Sequence, residues 1–320
     1  ALAQLREAWL SACLAFNEQR SEQVLSEAFA LFSPETVCLE LLREAMSQIG
    51  ERWYWGRVTV QQEHFCSALA IRRLEALIMT SPAPTRPGRI LASCPSHEEH
   101  VFGLLLLTFL LRRRGWEVVY LGANVPVQKL ETTVAATNPD LVIMAAQQLH
   151  SAATLLEAAQ TLQRAGRVLA YGGLIFNLAP ALRSIVPGHF LGDSLESAAR
   201  KVETLMMAPR RVSEAEPVAQ VYQQALEHFV GRKGSIEAQL DDQLGGANIA
   251  VQHLTIANQQ LSLNIAAALA LGDMNFMGTD IRWIEGILSH HGIPAETLDV
   301  YLSAYHQAAK AQLDERGQPV

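Results

Sequence analysis

The chain has 320 residues, carries a formal net charge of -7 and is 49% hydrophobic, with 18% charged residues. This length fits two or three domains of about 100–150 residues, the composition excludes wholesale disorder, and the acidic balance argues against a general surface for nucleic acids or anionic membranes. The longest apolar run (101–111) is shorter than the about 20 residues that a bilayer requires, and no secretory leader pattern opens the chain, so we expect a cytoplasmic protein. Because the cysteines form no Cys-x-x-Cys pair, we expect neither a disulfide framework nor a zinc site.

The first part of the chain, residues 1–82, has helical periodicity and almost no strand signal. Ser33 followed by Pro34 is a typical helix start, and Thr59 with Gln62 forms a capping box. The pattern predicts a small helical bundle with helices at about 2–18, 21–32, 34–54 and 60–80. A Pro-rich linker, 81–88, follows it.

The second part, residues 88–207, alternates between short apolar runs and amphipathic segments. We predict strands at 89–93, 116–121, 141–145 and 167–171, with helices at 100–114, 127–137 and 151–165 between them. This order predicts a Rossmann-like (flavodoxin-like) parallel sheet with helices on both faces. Ligands of such sheets bind beyond the carboxyl ends of the strands, so the following loops should face the site.

A second linker, 208–217, leads into an all-α part, residues 217–320. Helices are predicted at 246–271, about 279–290 and about 295–313. This part contains 11 acidic residues against 5 basic ones and therefore holds most of the net charge of the chain.

The strongest chemical signal directly follows the first predicted strand, where Glu98, His100 and Gly103 form the pattern E-x-H-x-x-G. The imidazole could ligate a metal, the carboxylate could orient its other nitrogen, and Gly103 would let a bulky group lie against the backbone. The alternative is a solvated loop histidine. Because no second His or Cys cluster completes a metal shell, a site with one histidine requires a macrocycle to supply the remaining ligands.

These residues, together with Gly172-Gly173 and the stretch 115–126, resemble a cobalamin-binding domain. The resemblance implies that His100 replaces the dimethylbenzimidazole of the cofactor as the lower axial cobalt ligand and that Glu98 is its hydrogen-bond partner. It also implies a deep pocket for the displaced base, lined by Val125, Ala145, Gln147, Gly172 and Gly173.

Two positions depart from the pattern of that family. Glu98 stands where most members have Asp, which lengthens the reach by one methylene. Ala145 stands where the usual Ser contacts the buried base, so this contact is lost unless Gln147 or Gln148 supplies it.

In the predicted bundle, Trp53 is followed after nine residues by Glu63-His64, and this W-x9-E-H pattern resembles the cap of CarH-type coenzyme B12 photoreceptors. The resemblance implies that Trp53 covers the upper axial adenosyl group, that Glu63 contacts this group, and that His64 binds cobalt after illumination. The alternative is that Trp53 and Trp55 are ordinary core residues and that His64 is a helix-face residue.

The stretches 271–276 and 280–283, which follow the cobalamin-binding pattern, and the overall arrangement of the chain resemble the photocobilins, which combine coenzyme B12 with biliverdin. Asp280, Trp283, Ile287 and His290 recur at helical spacing and could present an acid, a ring and an imidazole to a tetrapyrrole. His253 is one of several basic residues that could meet propionates. Because residues 217–320 contain no cysteine, a bilin anchored there would be non-covalent. The alternative is a plain helical interaction domain.

Taken together, these patterns predict a light-sensing adenosylcobalamin protein with biliverdin as a second chromophore and no catalytic domain. We expect a light-dependent homo-oligomer, an unknown downstream protein and no membrane contact. CarH-type repressors begin with a basic helix-turn-helix domain, and the opening of this chain has no such helix pair, so we expect no direct DNA binding. The rival interpretations are a corrinoid methyl carrier that serves a methyltransferase and a light-insensitive B12-binding scaffold.

Overall fold

The structure is a computed structural model that describes residues 1–207, 217–244, 251–290 and 295–320. Inside these ranges, the side chains of residues 251–254, 279–280, 282–283, 287–289 and 295 are not described. Over the described residues, none of the helices combines the length and the hydropathy needed to cross a membrane.

A bundle of helices opens the chain, as predicted. Its elements are α1 (Leu2–Leu14), α2 (Glu18–Leu31), α3 (Pro34–Thr36), a π-helical stretch (Val37–Arg43), α4 (Glu44–Tyr54) and α5 (Val60–Met79). The predicted capping box is confirmed, because Thr59 Oγ1 accepts from the Gln62 amide at 3.2 Å and Gln62 Oε1 accepts from the Thr59 amide at 2.9 Å. The first helix ends four residues earlier than predicted, since Phe16 adopts a left-handed conformation and Asn17 caps the next helix.

A five-stranded parallel sheet follows the bundle, which confirms the predicted fold class. The strands are β1 (Arg89–Pro95), β2 (Glu117–Val125), β3 (Leu141–Ala145), β4 (Leu169–Gly172) and β5 (His189–Phe190), in the order β2-β1-β3-β4-β5. The helices are α6 (Phe102–Arg113), α7 (Leu130–Thr137), α8 (Leu149–Arg164), α9 (Leu174–Leu178), α10 (Leu182–Ile185) and α11 (Leu195–Met207). The sequence pattern missed β5, because two residues are too few to show an alternation.

Helix α6 joins the bundle to the sheet. Leu105, Leu106, Phe109 and Leu110 lie in the same core as the bundle, whereas the core shared with the strands includes Leu104, Leu107 and Leu111. The helix is therefore apolar around most of its circumference, as expected when both sides are buried. This double burial explains the apolar run over residues 101–111.

The last part of the chain is helical and packs on the outer side of the α/β part. Its helices are α12 (Gln220–Leu244), α13 (Val251–Leu271), α14 (Met277–His290) and α15 (Ala295–Gln312). Helix α13 runs against α8, and Leu156 of α8 shares one continuous core with Leu261 and Ile265 of α13. Helix α8 is thus covered by the sheet on one side and by the C-terminal helices on the other.

Because α6 is buried by the bundle on one side and by the sheet on the other, a cavity on its bundle side should strongly destabilise the fold. Phe109 is fully buried, so Phe109→Ala should lower the free energy of unfolding by about 3–5 kcal/mol in urea titrations. Val221→Ala, at an exposed apolar residue of α12, is the control and should change it by no more than about 0.5 kcal/mol. Equal effects of the two substitutions would contradict the packing described for α6.

Candidate functional site

The loops after β1 and β3 lie side by side at the carboxyl edge of the sheet. Strand β1 pairs with β2 on one side and with β3 on the other, so the chain reverses its direction across the sheet at this point. In open parallel sheets this reversal leaves a crevice in which ligands bind. Glu98 and His100 of the E-x-H-x-x-G pattern fall in the loop after β1, as the sequence predicted, and Gly103 lies in the first turn of α6.

Glu98 is fully buried in this loop and accepts four hydrogen bonds. Its Oε1 accepts from the backbone amide of His100 at 2.9 Å and from His100 Nδ1 at 2.7 Å. Its Oε2 accepts at 2.6 Å from the Gln147 amide and at 2.6 Å from the Ser151 hydroxyl. A buried carboxylate with this many donors remains ionised and fixes the groups around it.

The bond to Glu98 determines which nitrogen of His100 is available. Because Nδ1 donates to the carboxylate, Nε2 is left as the free, lone-pair-bearing nitrogen in the neutral ring. The His100 side chain is 61% exposed, so this nitrogen is accessible to a ligand from the outside. This is the geometry of a histidine prepared to bind a metal through Nε2.

The same contact shifts the pKa values of both partners. The hydrogen bond to Glu98 raises the pKa of His100 against the effect of burial, with smaller contributions from the charges of Glu98, Glu63 and Glu99. Burial works against ionisation of Glu98, but the hydrogen bonds from His100, Ser151 and the Gln147 amide together hold its pKa below the usual range. The pair is therefore an ionised carboxylate with a basic imidazole.

Three further side chains hold the loop in place. Asn124 Oδ1 accepts from the His97 amide at 2.9 Å, and the Asn124 amide donates to the Glu98 carbonyl at 3.0 Å. Thr154 Oγ1 donates to the Ser96 carbonyl at 2.7 Å. The ring of His150 lies edge to face with that of His97, with centroids 6.4 Å apart. These contacts fix a segment in which His97 has a left-handed backbone, with φ of 65°.

The predicted pocket residues of β3 and β4 lie at the same edge of the sheet. The Ala146 amide donates to the Gly172 carbonyl at 3.0 Å, which brings the turn at Gly173 against the loop after β3. A Cβ at Gly173 would lie 1.9 Å from the Ala146 carbonyl oxygen, and its φ of 120° is strained for other residues, so glycine is required here. Ala145, which replaces the usual Ser, is buried at the end of β3.

Gln147 makes two contacts within the site. Its amide binds Glu98, while its side-chain Oε1 accepts from the Leu174 amide at 2.9 Å and so holds the turn after β4. This side-chain oxygen is therefore engaged with the backbone. Val125 ends β2 and pairs with Pro95 of β1. At Gly103, an added Cβ would meet nothing within 4 Å, which leaves open space beside the loop.

The bundle presents a second glutamate–histidine pair. Glu63 Oε2 lies 2.7 Å from His64 Nδ1, the Ser67 hydroxyl donates to the other oxygen of Glu63, and the His64 side chain is 75% exposed. The charge of Glu63 is one of the smaller contributions to the raised pKa of His100. Trp53 is half-buried against the core of the bundle.

The residues predicted for a bilin are only partly described. The side chains of Asp280, Trp283 and His253 lie outside the described residues. His290 is described and contacts the bundle. Its ring lies 4.1 Å from that of Trp55, centroid to centroid, and its Nδ1 lies 3.1 Å from the Tyr54 carbonyl oxygen.

Sequence reasoning missed Ser151, Asn124 and His150. Ser151 and His150 occupy the first turn of α8, directly after the strand next to β1, so the sheet order would have placed them beside the E-x-H loop. For Asn124 the only indication in the sequence is its residue type, because Asn is one of the few residues that tolerate the left-handed backbone conformation found at this position. Within the described part of the chain, no group of three His, Cys, Asp or Glu side chains could hold a metal ion.

Two family models match this chain, both described as B12 binding domain. The first covers residues 5–78, which is the helical bundle, and the second covers residues 88–193, which is the α/β part. A monomethylamine corrinoid protein from Methanosarcina barkeri has the same fold, with a TM-score of 0.51 at 17% identity over 64% of this chain and 100% of that one. Both parts of the chain thus match B12 binding domains, with the helical bundle as a cap that packs against a Rossmann-like domain.

Two curated relatives carry a similar module. The chain is 37% identical over 137 residues to the HTH-type transcriptional repressor CarH of Myxococcus xanthus, and 35% identical over 141 residues to the HTH-type transcriptional repressor CarA of the same organism. These matches cover 43% and 44% of this chain and 46% and 47% of the relatives, so the chain spans about half of their length. Both relatives are named as repressors and neither as an enzyme.

The contact between Glu98 and His100 predicts a pH effect in the cobalamin-free protein. NMR titration should give His100 a pKa above the usual value of about 6.5. Since the folded-state value is raised, the pair stabilises the fold below pH about 6.5, and this contribution is lost as the pH rises through the raised pKa. Glu98→Gln should lower the pKa of His100, whereas Glu99→Gln, which removes an exposed neighbouring charge, should change it much less. The same pKa in Glu98→Gln and wild type would contradict the assignment.

Proposed function

We propose that this chain is a light sensor that holds adenosylcobalamin between its cap and its α/β part and has no catalytic domain of its own. The observation that carries the proposal is the presence of two glutamate–histidine pairs, Glu98–His100 on the sheet side and Glu63–His64 on the cap side, in each of which a carboxylate oxygen lies 2.7 Å from Nδ1 of the imidazole. Two imidazoles prepared in this way fit a metal that is ligated along one axis from both sides.

The residues on the sheet side fit a cobalt ion whose other ligands belong to a macrocycle. His100 offers Nε2 and keeps Nδ1 on Glu98, which is the arrangement that fixes the orientation of a metal-binding imidazole. The open space at Gly103 would accept the bulk of a corrin ring beside the loop. The loops at Ala145, Gln147, Gly172 and Gly173 would accept the displaced base, in keeping with the matches to B12 binding domains.

The cap residues would occupy the upper side of the cofactor. When bound, adenosylcobalamin supplies a cobalt–carbon bond that light breaks. Trp53 would cover the adenosyl group and Glu63 would contact it. His64 would then take the position that this group leaves. Its bond from Nδ1 to Glu63 keeps Nε2 available for the metal, as in the lower pair.

The two pairs differ in a way that fits these separate roles. Glu98 is fully buried with four donors, whereas the His64 side chain is largely exposed and its partner Glu63 also accepts a hydrogen bond from the Ser67 hydroxyl. The lower imidazole is therefore held in one orientation, and the upper one is free to change its position. This difference fits a lower ligand that always binds cobalt and an upper ligand that binds it only after illumination.

The movement of His64 would transmit the signal. When His64 binds cobalt, α5 gains a contact that it lacks in the dark, and this difference between the two states can displace the cap against the α/β part. We propose that the displacement alters a homo-oligomer interface and the contact of an unknown downstream protein, in the cytoplasm, without direct binding to DNA or to a membrane.

We further propose that residues 217–320 bind biliverdin without a covalent bond. The absence of cysteine in this part leaves no covalent anchor for a bilin. Support for a site comes from polar groups buried between α12, α13 and α15, where Ser262 Oγ lies 3.1 Å from the Tyr305 hydroxyl and donates to Glu237 Oε1 at 3.3 Å. Asp280, Trp283 and His253 remain the candidate bilin contacts. Bound biliverdin would extend the response to longer wavelengths.

Illumination of the loaded protein tests the cobalamin part of this proposal. Protein prepared in darkness with adenosylcobalamin should change its absorption spectrum under green light to that of cobalamin with two imidazole ligands. His64→Ala should still lose the adenosyl group but should not reach this spectrum, because the upper imidazole is missing. His306→Ala, which removes an exposed histidine of α15, should behave like wild type.

The rival functions give different results in the same experiment. Reversible methyl transfer with a partner enzyme, with no two-imidazole spectrum after light, would identify a corrinoid carrier. Unchanged behaviour of His64→Ala under light would favour a light-insensitive scaffold.

Purification from cells supplied with cobalamin and biliverdin tests the second chromophore. The dark spectrum should contain a red-absorbing bilin band in addition to the cobalamin bands, and acid denaturation followed by solvent extraction should remove the bilin completely, because no cysteine is available in residues 217–320 to anchor it. A spectrum with cobalamin bands alone would contradict the biliverdin proposal and would leave the cobalamin proposal standing.

A further inference from the structure

We propose that the C-terminal helices position the lower cobalt ligand: Asn264 of α13, through His150 of α8, holds the loop that carries His100. This inference rests on the proposed cobalamin site and adds a regulator to it. It assigns to residues 217–320 a role that does not depend on a bilin.

The geometry forms a short chain of contacts between the two parts. His150 Nδ1 lies 3.3 Å from Asn264 Oδ1. The same imidazole ring lies edge to face with the ring of His97, three residues before His100, with centroids 6.4 Å apart. One side chain thus touches both the ligand loop and the C-terminal helices.

The first turns of α8 connect the Asn264–His150 contact to the loop that carries His100. His150, Ser151 and Thr154 all point to the loop after β1, where they contact the His97 ring, the Glu98 carboxylate and the Ser96 carbonyl. A displacement of this end of α8 would therefore act on three consecutive residues of the loop. Since Glu98 in turn holds Nδ1 of His100, the displacement would change the orientation of Nε2.

Helix α13 is placed to cause or prevent such a displacement. It packs along α8 in one continuous core, and Asn264 is a buried polar residue in that contact. A buried amide is costly to leave without a partner, so the Asn264–His150 pair favours one relative position of the two helices. Well-packed interfaces of this kind shift between discrete arrangements instead of deforming continuously.

The consequence is reciprocal coupling. If the position of α13 affects the affinity for cobalamin through His150, then cobalamin must stabilise that position of α13 by the same factor. A ligand, a partner or light acting on the C-terminal helices would change how firmly His100 is held. Illumination at the cobalamin site would in turn affect the position of α13.

The test compares two buried asparagines of α13. Asn264→Leu removes the contact with His150, whereas Asn258→Leu removes the contact with Tyr301 inside the C-terminal helices and serves as the control for general destabilisation. Equilibrium dialysis with hydroxocobalamin should show affinity about 2- to 30-fold weaker in Asn264→Leu, the usual range for coupling through packed residues. His150→Phe should give a similar loss, and the double variant should lose no more than either single one.

Hydrogen exchange provides a second measurement that does not depend on affinity. In cobalamin-free protein, the amides of residues 97–100 should exchange faster in Asn264→Leu than in Asn258→Leu or wild type. On addition of cobalamin, α13 should become more protected around residue 264 in wild type and should not in His150→Phe.

Unchanged affinity and unchanged loop exchange in Asn264→Leu, or equal losses in Asn258→Leu, would overturn the inference. Failure of wild type to bind cobalamin would instead overturn the proposed function, while the exchange of the cobalamin-free loop would still report whether Asn264 holds it.

Discussion

Four donors converge on the buried carboxylate of Glu98, and the geometry of the whole site depends on them. Two come from His100, one from the amide of Gln147 and one from Ser151, so the loops after β1 and β3 and the start of α8 are tied to one charge. Removing one partner would leave a buried charge partly uncompensated, which is costly in a protein interior. The carboxylate therefore orders its surroundings and leaves Nε2 of His100 as the accessible nitrogen.

The parts of the chain are joined by shared helices, and this arrangement explains how a change at the site could spread. Helix α6 is buried by the cap on one side and by the sheet on the other, while α8 is buried by the sheet and by α13. His290 adds a contact between α14 and the end of α4, next to Trp53. The cap and the C-terminal helices therefore both border the region in which His100 and His64 lie, and neither can move without altering a packed contact.

Much of the fold could be predicted because it follows from local patterns. Alternating apolar runs predicted β1 to β4 and the parallel sheet, and the residues around Thr59 predicted the start of α5 correctly. The orientation of His100 by Glu98 was also predicted, since two residues in one loop can meet without knowledge of the fold. Ser151 and His150 could not be assigned, because their partners lie more than 50 residues away and meet them only through the strand order. The domain boundaries and the roles of the site residues remain predictions.

The central claim is that His100 binds cobalt through the nitrogen that Glu98 leaves free. Electron paramagnetic resonance of the protein loaded with cobalamin and reduced to cobalt(II) tests it most directly, because an axial nitrogen ligand splits the cobalt signal according to its nuclear spin. Protein labelled with ¹⁵N-histidine should show a changed splitting pattern, and His100→Ala should lose the contribution of histidine. A splitting that does not respond to the histidine label, or that persists unchanged in His100→Ala, would contradict the account.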